Sequence, residues 1–544
     1  MRYLSENKRE DMRMKKRTAA RSMAALMGAA MVLTACGGGN TTAPTTSASS
    51  GGETQTASES AESGKITKTD IVVGQASDIV TLDPAGQQDT TSGVLMKHAY
   101  STLLDVDNEG KVVPDLAESY EMKSDTEYVF KLREDACFWD GTPVTAQDVK
   151  FSLDRAKGMP KTKSNTSKIE EVTVNGDHEV TIKLTEPYAA FKTIVTQHNL
   201  SILSEKAVTE AGDSYGDVDN LLGSGPFKVT EWVPNDHYTL VRNDNYWGEM
   251  PIATSITCRV IPEGSARTIA LEAGEIDVVW SVDPTDCANV ESNPDVKLLS
   301  QPSTGIDYVG MNTQKEKFSD KRVRQAINYA LDKQAFVDTI IEGRGLVANS
   351  YINAAIPGWT DEVEAYPYDP EKAKELLAEA GYPDGFECSI FVNGDLRTRS
   401  AQILQAQLAD VGIKVDISTY EWGALLDTLN AGEHEMFLLG WSNTSFDPDG
   451  STYQLFYSGN HGATGNRAFF SNDKVDELIL SAQRESEESK RMELYKELQF
   501  VLHEESPWCP LYYKENNVGV RADLKGFTLH AGAQHYLGNC HYEE

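Results

Sequence analysis

After residue 35 the sequence has no run of about 18 uncharged apolar residues, the length that a membrane-spanning helix needs, so no later segment reads as a span. Basic residues are scarce: 50 Lys and Arg stand against 83 Asp and Glu in 544 residues, a formal net charge of −33. Eight of those bases and three of those acids lie in the first 35 residues, so the remainder carries 42 against 80, net −38. A body that acidic repels phosphate backbones and anionic headgroups, which excludes nucleic-acid binding. No GxSxG elbow, HExxH pair or Walker loop occurs. The turn Gly223-Ser224-Gly225-Pro226 is a poor phosphate cradle, because its Pro offers no N–H. Nothing in the spacing of the acids singles out a pair for glycoside hydrolysis, so no catalytic residue is assigned and the chain reads as non-enzymatic. CxxC is also missing. With Cys36 set apart, Cys137, Cys258, Cys287, Cys388, Cys509 and Cys540 remain at wide spacings, which leaves disulfides and buried free thiols equally open and argues against structural zinc. His530, His535 and His541 share no helix face and read as a loose surface tail rather than a metal site; no metal and no cofactor is expected.

What is present begins with an address. A basic region ends at Arg21, and residues 22–35 are uncharged and rich in Ala, Met, Val and Leu. This pairing is that of an export signal, too short to span comfortably. It ends in Leu33-Thr34-Ala35-Cys36, which resembles a bacterial lipobox, so Cys36 is the expected lipidation site. Met12 and Met14 are alternative starts, and no twin arginine is present. Residues 37–65 contain no aromatic or branched aliphatic side chain, a composition that cannot offset its ordering entropy and reads as a flexible tether.

From about Lys65 the chain mixes strands and helices. Ile71-Val72-Val73-Gly74 reads as a strand, followed by a loop at Leu82-Asp83-Pro84. Tyr128 to Leu132 alternates in the manner of a strand. Thr145 and Asp148 have capping-box spacing ahead of a helix through Val149, Ser152 and Leu153. Patterning on both sides of Asn175-Gly176 predicts a hairpin over 172–184. Gly274-Glu275 separates a helix from a strand at Ile276, Val278 and Val279. Later come a helix through Val323, Ala326, Ile327, Ala330 and Leu331, a helix capped by Asp369-Pro370 and stopped at Gly381, a helix–Gly412–strand unit, and a helix through Val475, Leu478, Ile479 and Ala482. Most tryptophans should be core. Two stand beside Gly in loop-like contexts: Tyr420-Glu421-Trp422-Gly423, and Gly440-Trp441-Ser442-Asn443 after an apolar run. For Trp441 a core position and a pocket wall are equally open.

A set of segments, taken in order, then resembles family 5 of the bacterial solute-binding proteins, which serve peptide and nickel ATP-binding-cassette importers. They are Pro114-Asp115-Leu116-Ala117-Glu118-Ser119, Phe138-Trp139-Asp140-Gly141-Thr142-Pro143, Gly223-Ser224-Gly225-Pro226-Phe227 with Asn243, Tyr246 and Trp247, Gly274-Glu275-Ile276-Asp277, Val323-Arg324-Gln325-Ala326, and Gly440-Trp441 with Asp447-Pro448-Asp449. The resemblance covers residues 66–530. It implies an α/β, two-lobed periplasmic-binding-protein-like fold with hinge strands. Lobe one would span 66–305 and 507–544, with an extra subdomain at 88–215, and lobe two 306–506. It further implies a monomeric, exported receptor, lipid-anchored to the outer face of the cell membrane (periplasmic in a cell with two membranes), touching the membrane through its anchor only. Its partners would be permease subunits of an ABC importer and a small-molecule or short-peptide ligand held between the lobes. The residues expected at the ligand are Val80, Thr81, Tyr308, Arg397, Arg399 and Trp422, with Gly440, Trp441, Asn443, Thr444 and Asp447. Dipeptide-binding members pair the peptide ammonium with an Asp where this chain has Thr444, and a neutral hydroxyl does not offset the cost of desolvating an ammonium. They hold the peptide carboxylate with an Arg in a loop before the helix at Ser400. That loop is shorter here, so Arg397 or Arg399 substitutes for it or lies on the helix-start surface. Loss of the acid favours a non-peptide solute (a saccharide, a modified peptide or a metal chelate) as the alternative cargo.

Overall fold

Two long strands, Val296–Met311 and Trp508–Arg521, pair antiparallel through the middle of the molecule. The structure is a computed structural model and describes residues 65–544; the signal, Cys36 and the tether up to residue 64 lie outside the described residues. The pair belongs to an eleven-stranded sheet. On one side follow Met436–Ser442, Phe386–Val392 and Ile413–Thr419, the last two joined in parallel. On the other follow Val278–Val279, Asp70–Gln75, Ser255–Val260, His237–Arg242 and Phe227–Val233. Gly345–Val347 pairs separately with Trp508–Arg521.

The apolar side chains divide at this pair. Clusters built from residues 71–299 and 518–542 fill one lobe, and clusters built from 306–513 fill the other. Val296 packs with Leu271 and Val290, whereas Val309 and Met311, on the same strand, pack with Ile390 and Leu404. On the returning strand Trp508 belongs to the second lobe's core and Val518 to the first's, so the packing changes hands after Tyr513. The ladder is irregular between Pro302 and Ile306 and between Asp307 and Tyr308, at the crossing itself. A broken register where the packing changes hands leaves a natural pivot.

The local signals act as their chemistry dictates. Thr145 N–H donates to the Asp148 carboxylate at 2.9 Å, closing the helix start at Ala146–Lys157. Asp369 accepts from Lys372 N–H and Pro370 sits in the first turn of Pro370–Glu379. Gly381 follows at φ +94°, a conformation that Gly adopts without strain. The hairpin is Ile169–Val174 with Glu179–Leu184, and it joins Ala117–Ser124 and Glu127–Leu132 in a four-stranded antiparallel sheet with its own core. The Gly-rich turn is structural. A Cβ at Gly223 would lie 2.1 Å from the Ala99 carbonyl, and the Gly225 carbonyl accepts from both Trp139 Nε1 and Asn243 Nδ2.

One expectation needs correction, and one open alternative is resolved. The C-terminal histidines are not a loose tail: His530 and His535 are each 2% exposed, His541 is buried, and the chain around them packs on lobe one. All six cysteines of the described chain are free thiols, five of them buried. Among the described residues no group of His, Cys, Asp and Glu could hold a metal ion.

Candidate ligand-binding site

A cavity of about 390 Å³ lies where the lobes meet. Lobe one contributes Asp89, Asn165, Gln197 and Trp280; lobe two contributes Tyr308, Arg397, Trp422, Gly440, Trp441, Thr444 and Arg467; Lys514 to Asn517 come from the returning strand at the crossing. The volume lies near the lower end of the range for small-molecule sites.

The lobes touch around it. Thr444 Oγ1 donates to Gln197 Oε1 at 2.9 Å, Tyr188 OH to Asp449 Oδ2 at 2.6 Å, and Arg399 Nη2 to Asp283 Oδ2 at 2.6 Å. Arg344 reaches Glu291 at 2.7 Å, and Arg484 pairs with Glu186. These bonds join partners from the two lobes and can form only when the lobes are together.

The expected residues divide in two. Tyr308, Arg397, Trp422, Gly440, Trp441 and Thr444 line the cavity. Tyr308 lies flat on Trp508, with ring centroids 3.4 Å apart. The Trp441 indole donates to the Gly450 carbonyl at 3.1 Å, and the residue both lines the cavity and packs on lobe two's core. Val80, Thr81, Arg399, Asn443 and Asp447 lie off the wall, and each is otherwise engaged. Val80 N–H donates to Ser92 Oγ, and Thr81 Oγ1 accepts from Asp83 N–H. Asn443 Nδ2 donates to the Asp447 carbonyl and to Ser451 Oγ, both at 2.7 Å. Asp447 takes both Nη atoms of Arg491, at 2.9 and 2.5 Å, a bidentate buried pair. Its neighbour Asp449 accepts from Tyr188 and Gln483, and burial followed by the Asp447 charge pushes its carboxyl up to about 6. The Asp-Pro-Asp motif therefore fastens lobe two internally and to lobe one.

The helix expected to open at Ser400 starts earlier, at Gly394–Ala409, so Arg397 and Arg399 lie in its first turns and neither is plain surface. Arg397 is 3.7 Å from Asp307 and lies over the Trp422 ring, 6.0 Å from its centroid. Asp307 is almost fully buried and also pairs with Lys514 at 3.1 Å. Sequence reasoning missed Asp89, Gln197, Trp280 and Arg467. Trp280 is stacked on His535, centroids 5.2 Å apart, and lines the cavity while packing on lobe one's core. The available signal for Arg467 was a lone base in the uncharged run Gly465-Asn466-Arg467-Ala468-Phe469-Phe470.

A two-lobed α/β body that encloses a cavity between lobes joined by two strands is the architecture of a ligand-capturing binding protein. Residues 111–463 match the family model described as bacterial extracellular solute-binding proteins, family 5 Middle. The chain belongs to family 5 of the bacterial extracellular solute-binding proteins. It is 32% identical over 479 residues to the glutathione-binding protein GsiB of Escherichia coli strain K12, covering 85% of this chain and 92% of that protein. Among solved structures it resembles the periplasmic binding protein DppA from Helicobacter pylori in complex with the peptide STSA, at TM-score 0.84 and 28% identity, over 88% of this chain and 99% of that one. It also resembles AgaA from A. tumefacien R10 in complex with agropinic acid, at TM-score 0.82 and 27% identity, over 87% and 99%. The relatives are binding proteins by name, in keeping with a non-enzymatic reading. Among the described residues no helix is long and apolar enough to cross a membrane.

Proposed function

We propose that this chain is the solute-capturing receptor of an ABC importer, tethered to the outer face of the cell membrane through lipidated Cys36, and that it encloses a short peptide between its lobes and presents the closed form to permease subunits. The observation that carries this is the cavity bounded by both lobes and ringed by bonds that exist only on closure. Closure around a solute is hinge bending at the 296–311 and 508–521 pair, and the solute shifts the population from open to closed by its own contacts with both walls. Lobe one then comprises 66–305 and the returning C-terminal segment, and lobe two the residues between. The cavity's size supports a solute of di- or tripeptide dimensions. The relatives named for glutathione and crystallised with a peptide support the class.

One observation favours an atypical solute as second reading. The family resemblance aligns Thr444 with the ammonium-pairing acid of dipeptide binders, and the Thr444 hydroxyl is committed to Gln197 at 2.9 Å. The direct test is native mass spectrometry of the protein as purified, followed by thermal melts against a pool of di- and tripeptides. A retained mass or a melting shift of several degrees with peptides supports the receptor. No shift with any peptide refutes the peptide cargo. Thr444→Asp then separates the readings: a large gain for ordinary dipeptides supports the first, and no gain supports the second.

A further inference from the structure

The cavity wall holds a positive charge that the protein leaves unanswered. Arg467 is 6% exposed and lines the cavity. Its Nε donates to Asn430 Oδ1 at 3.0 Å, but among the described residues neither Nη nitrogen has a hydrogen-bond or ion-pair partner. A buried guanidinium without a carboxylate is costly, and burial lowers its affinity for its own proton. Evolution retains such a group where something else supplies the anion.

A carboxylate lies within Coulombic reach of it. Asp89 caps the helix Thr90–Ala99, and Oδ1 accepts from Ser92 N–H at 2.9 Å. Oδ2 is buried against the cavity with no partner at hydrogen-bonding distance. The Trp422 indole N–H lies near this carboxylate but beyond hydrogen-bonding distance. Lys161 is near enough to feel Asp89 but makes no ion pair with it among the described residues. The cavity thus offers a fork of N–H donors and an unpartnered carboxylate oxygen within Coulombic reach of each other, one from each lobe.

We propose that the cleft reads an α-amino-acid head group, whose carboxylate takes the Nη donors of Arg467 and whose ammonium takes Oδ2 of Asp89. The proposal rests on the peptide-receptor reading and narrows it. Because the two groups line one cavity within Coulombic reach, a ligand with both charges on one carbon answers both at once. An ordinary α-linked peptide separates its terminal ammonium and carboxylate by its whole backbone. A γ-glutamyl peptide, or another solute with a free amino-acid end, keeps them together. Placing the ammonium on Asp89 also accounts for the neutral Thr444. Nearby, Arg397 and Lys514 share the one carboxylate of Asp307, and the positive charge left over suits a second carboxylate on the same ligand.

Two isomers of one composition test this by isothermal titration calorimetry: γ-L-glutamylglycine and α-L-glutamylglycine. The γ isomer is expected to bind at least tenfold more tightly. Acetylating its amine or amidating its α-carboxyl should each remove that preference. Asp89→Asn keeps the helix cap and Arg467→Gln keeps polarity; each should cost the γ isomer tenfold or more, with unchanged circular dichroism. Arg467→Lys, which keeps charge but not the fork, should recover only part of the affinity. Equal binding of the isomers, or preference for the α form, overturns the proposal while the peptide receptor stands. Binding of neither isomer, together with no melting shift from the peptide pool, overturns both. The isomer comparison uses the unmutated protein and holds even if a variant fails to fold.

Discussion

Replacing Tyr188 by Phe removes one oxygen from a fully packed site and isolates the energy of closure. The Tyr188 hydroxyl, on the lobe-one subdomain, donates to Asp449 Oδ2 of lobe two at 2.6 Å, and both residues are 1% exposed. Oδ2 has no other hydrogen-bond partner among the described residues, while Oδ1 keeps Gln483 Nε2 at 2.9 Å and Tyr495 OH at 3.4 Å. Phe fills the same ring volume, so no cavity term enters. Hydrogen bonds to a charged acceptor contribute about 1.5–3 kcal/mol. The Asp449 carboxyl, raised to about 6, is mostly ionised at pH 7, so that range applies. Once the lobes part, water solvates both groups and the variant loses nothing. The whole deficit therefore falls on the closed state, and at 1.4 kcal/mol per tenfold it weakens solute binding by about 10- to 150-fold. Calorimetry with the bound solute measures this, and stopped-flow should place most of the change in the off-rate. The ligand-free melting temperature should stay within about a degree. Repeating the titration at pH 5 protonates Asp449 and should shrink the difference to the lower worth of a neutral bond. A dissociation constant within twofold of the parent, or a lowered melt with unchanged binding, would show that the contact is static packing and would refute the closure argument.

Stability should fall in mild acid. Burial drives His98, His434, His503 and His530 down to about 4 and His198 and His535 to about 3. Geometry agrees: ring nitrogens of His98, His530 and His535 accept from the backbone N–H groups of Leu537, Gly532 and His530, which a proton there would abolish. Unfolded histidines titrate near 6.5, so below that pH the unfolded chain binds more protons, and each group withdraws up to about 1.4 kcal/mol per pH unit until its folded pKa is passed. Asp115 and Asp449, raised to about 7 and about 6, act oppositely but are outnumbered; urea midpoints at pH 7 and pH 5 should therefore differ, the acid one lower, and a higher acid midpoint would sink the reasoning. An aromatic disulfide reagent at pH 8 should label one thiol of residues 65–544 in the native protein, half-exposed Cys137, and six after denaturation, because burial raises Cys258, Cys388 and Cys540 to about 12 and Cys287 to about 11. Gly223→Ala drives a Cβ to 2.1 Å from the Ala99 carbonyl and should cost about 1–3 kcal/mol in denaturant unfolding, whereas Gly423→Ala, with open space around it in a helix, should be neutral or stabilising. Arg491→Met leaves Asp447 buried and unpaired and should cost about 3–5 kcal/mol.

What could be read from the sequence follows from the range of the interaction that writes it. The 172–184 hairpin, the caps at Thr145 and Asp369 and the stop at Gly381 are decided within a few residues, so the order of residue types determines them. Trp441 was legible because it follows an apolar run that becomes a strand, and strand ends at a crossing are where a cavity opens; Trp422 stood beside Gly in a loop-like context, and Thr444 was reached only through the family resemblance. The resemblance also brought in Asn443 and Asp447, whose side chains turn inward to Ser451 and Arg491, since direction around a turn depends on partners outside it. The C-terminal histidines misled for a related cause: their spacing excludes a helix face, but burial came with Trp280 and Phe527 against the His535 ring and Phe446 against His530. Asp89 and Arg467 were illegible because neither carries a local pattern. A helix cap and a lone base in an apolar turn are ordinary features singly. They become a candidate site only because the lobes meet, each leaving one charge without a partner where the cavity lies, and such an unmet pair is visible in three dimensions alone.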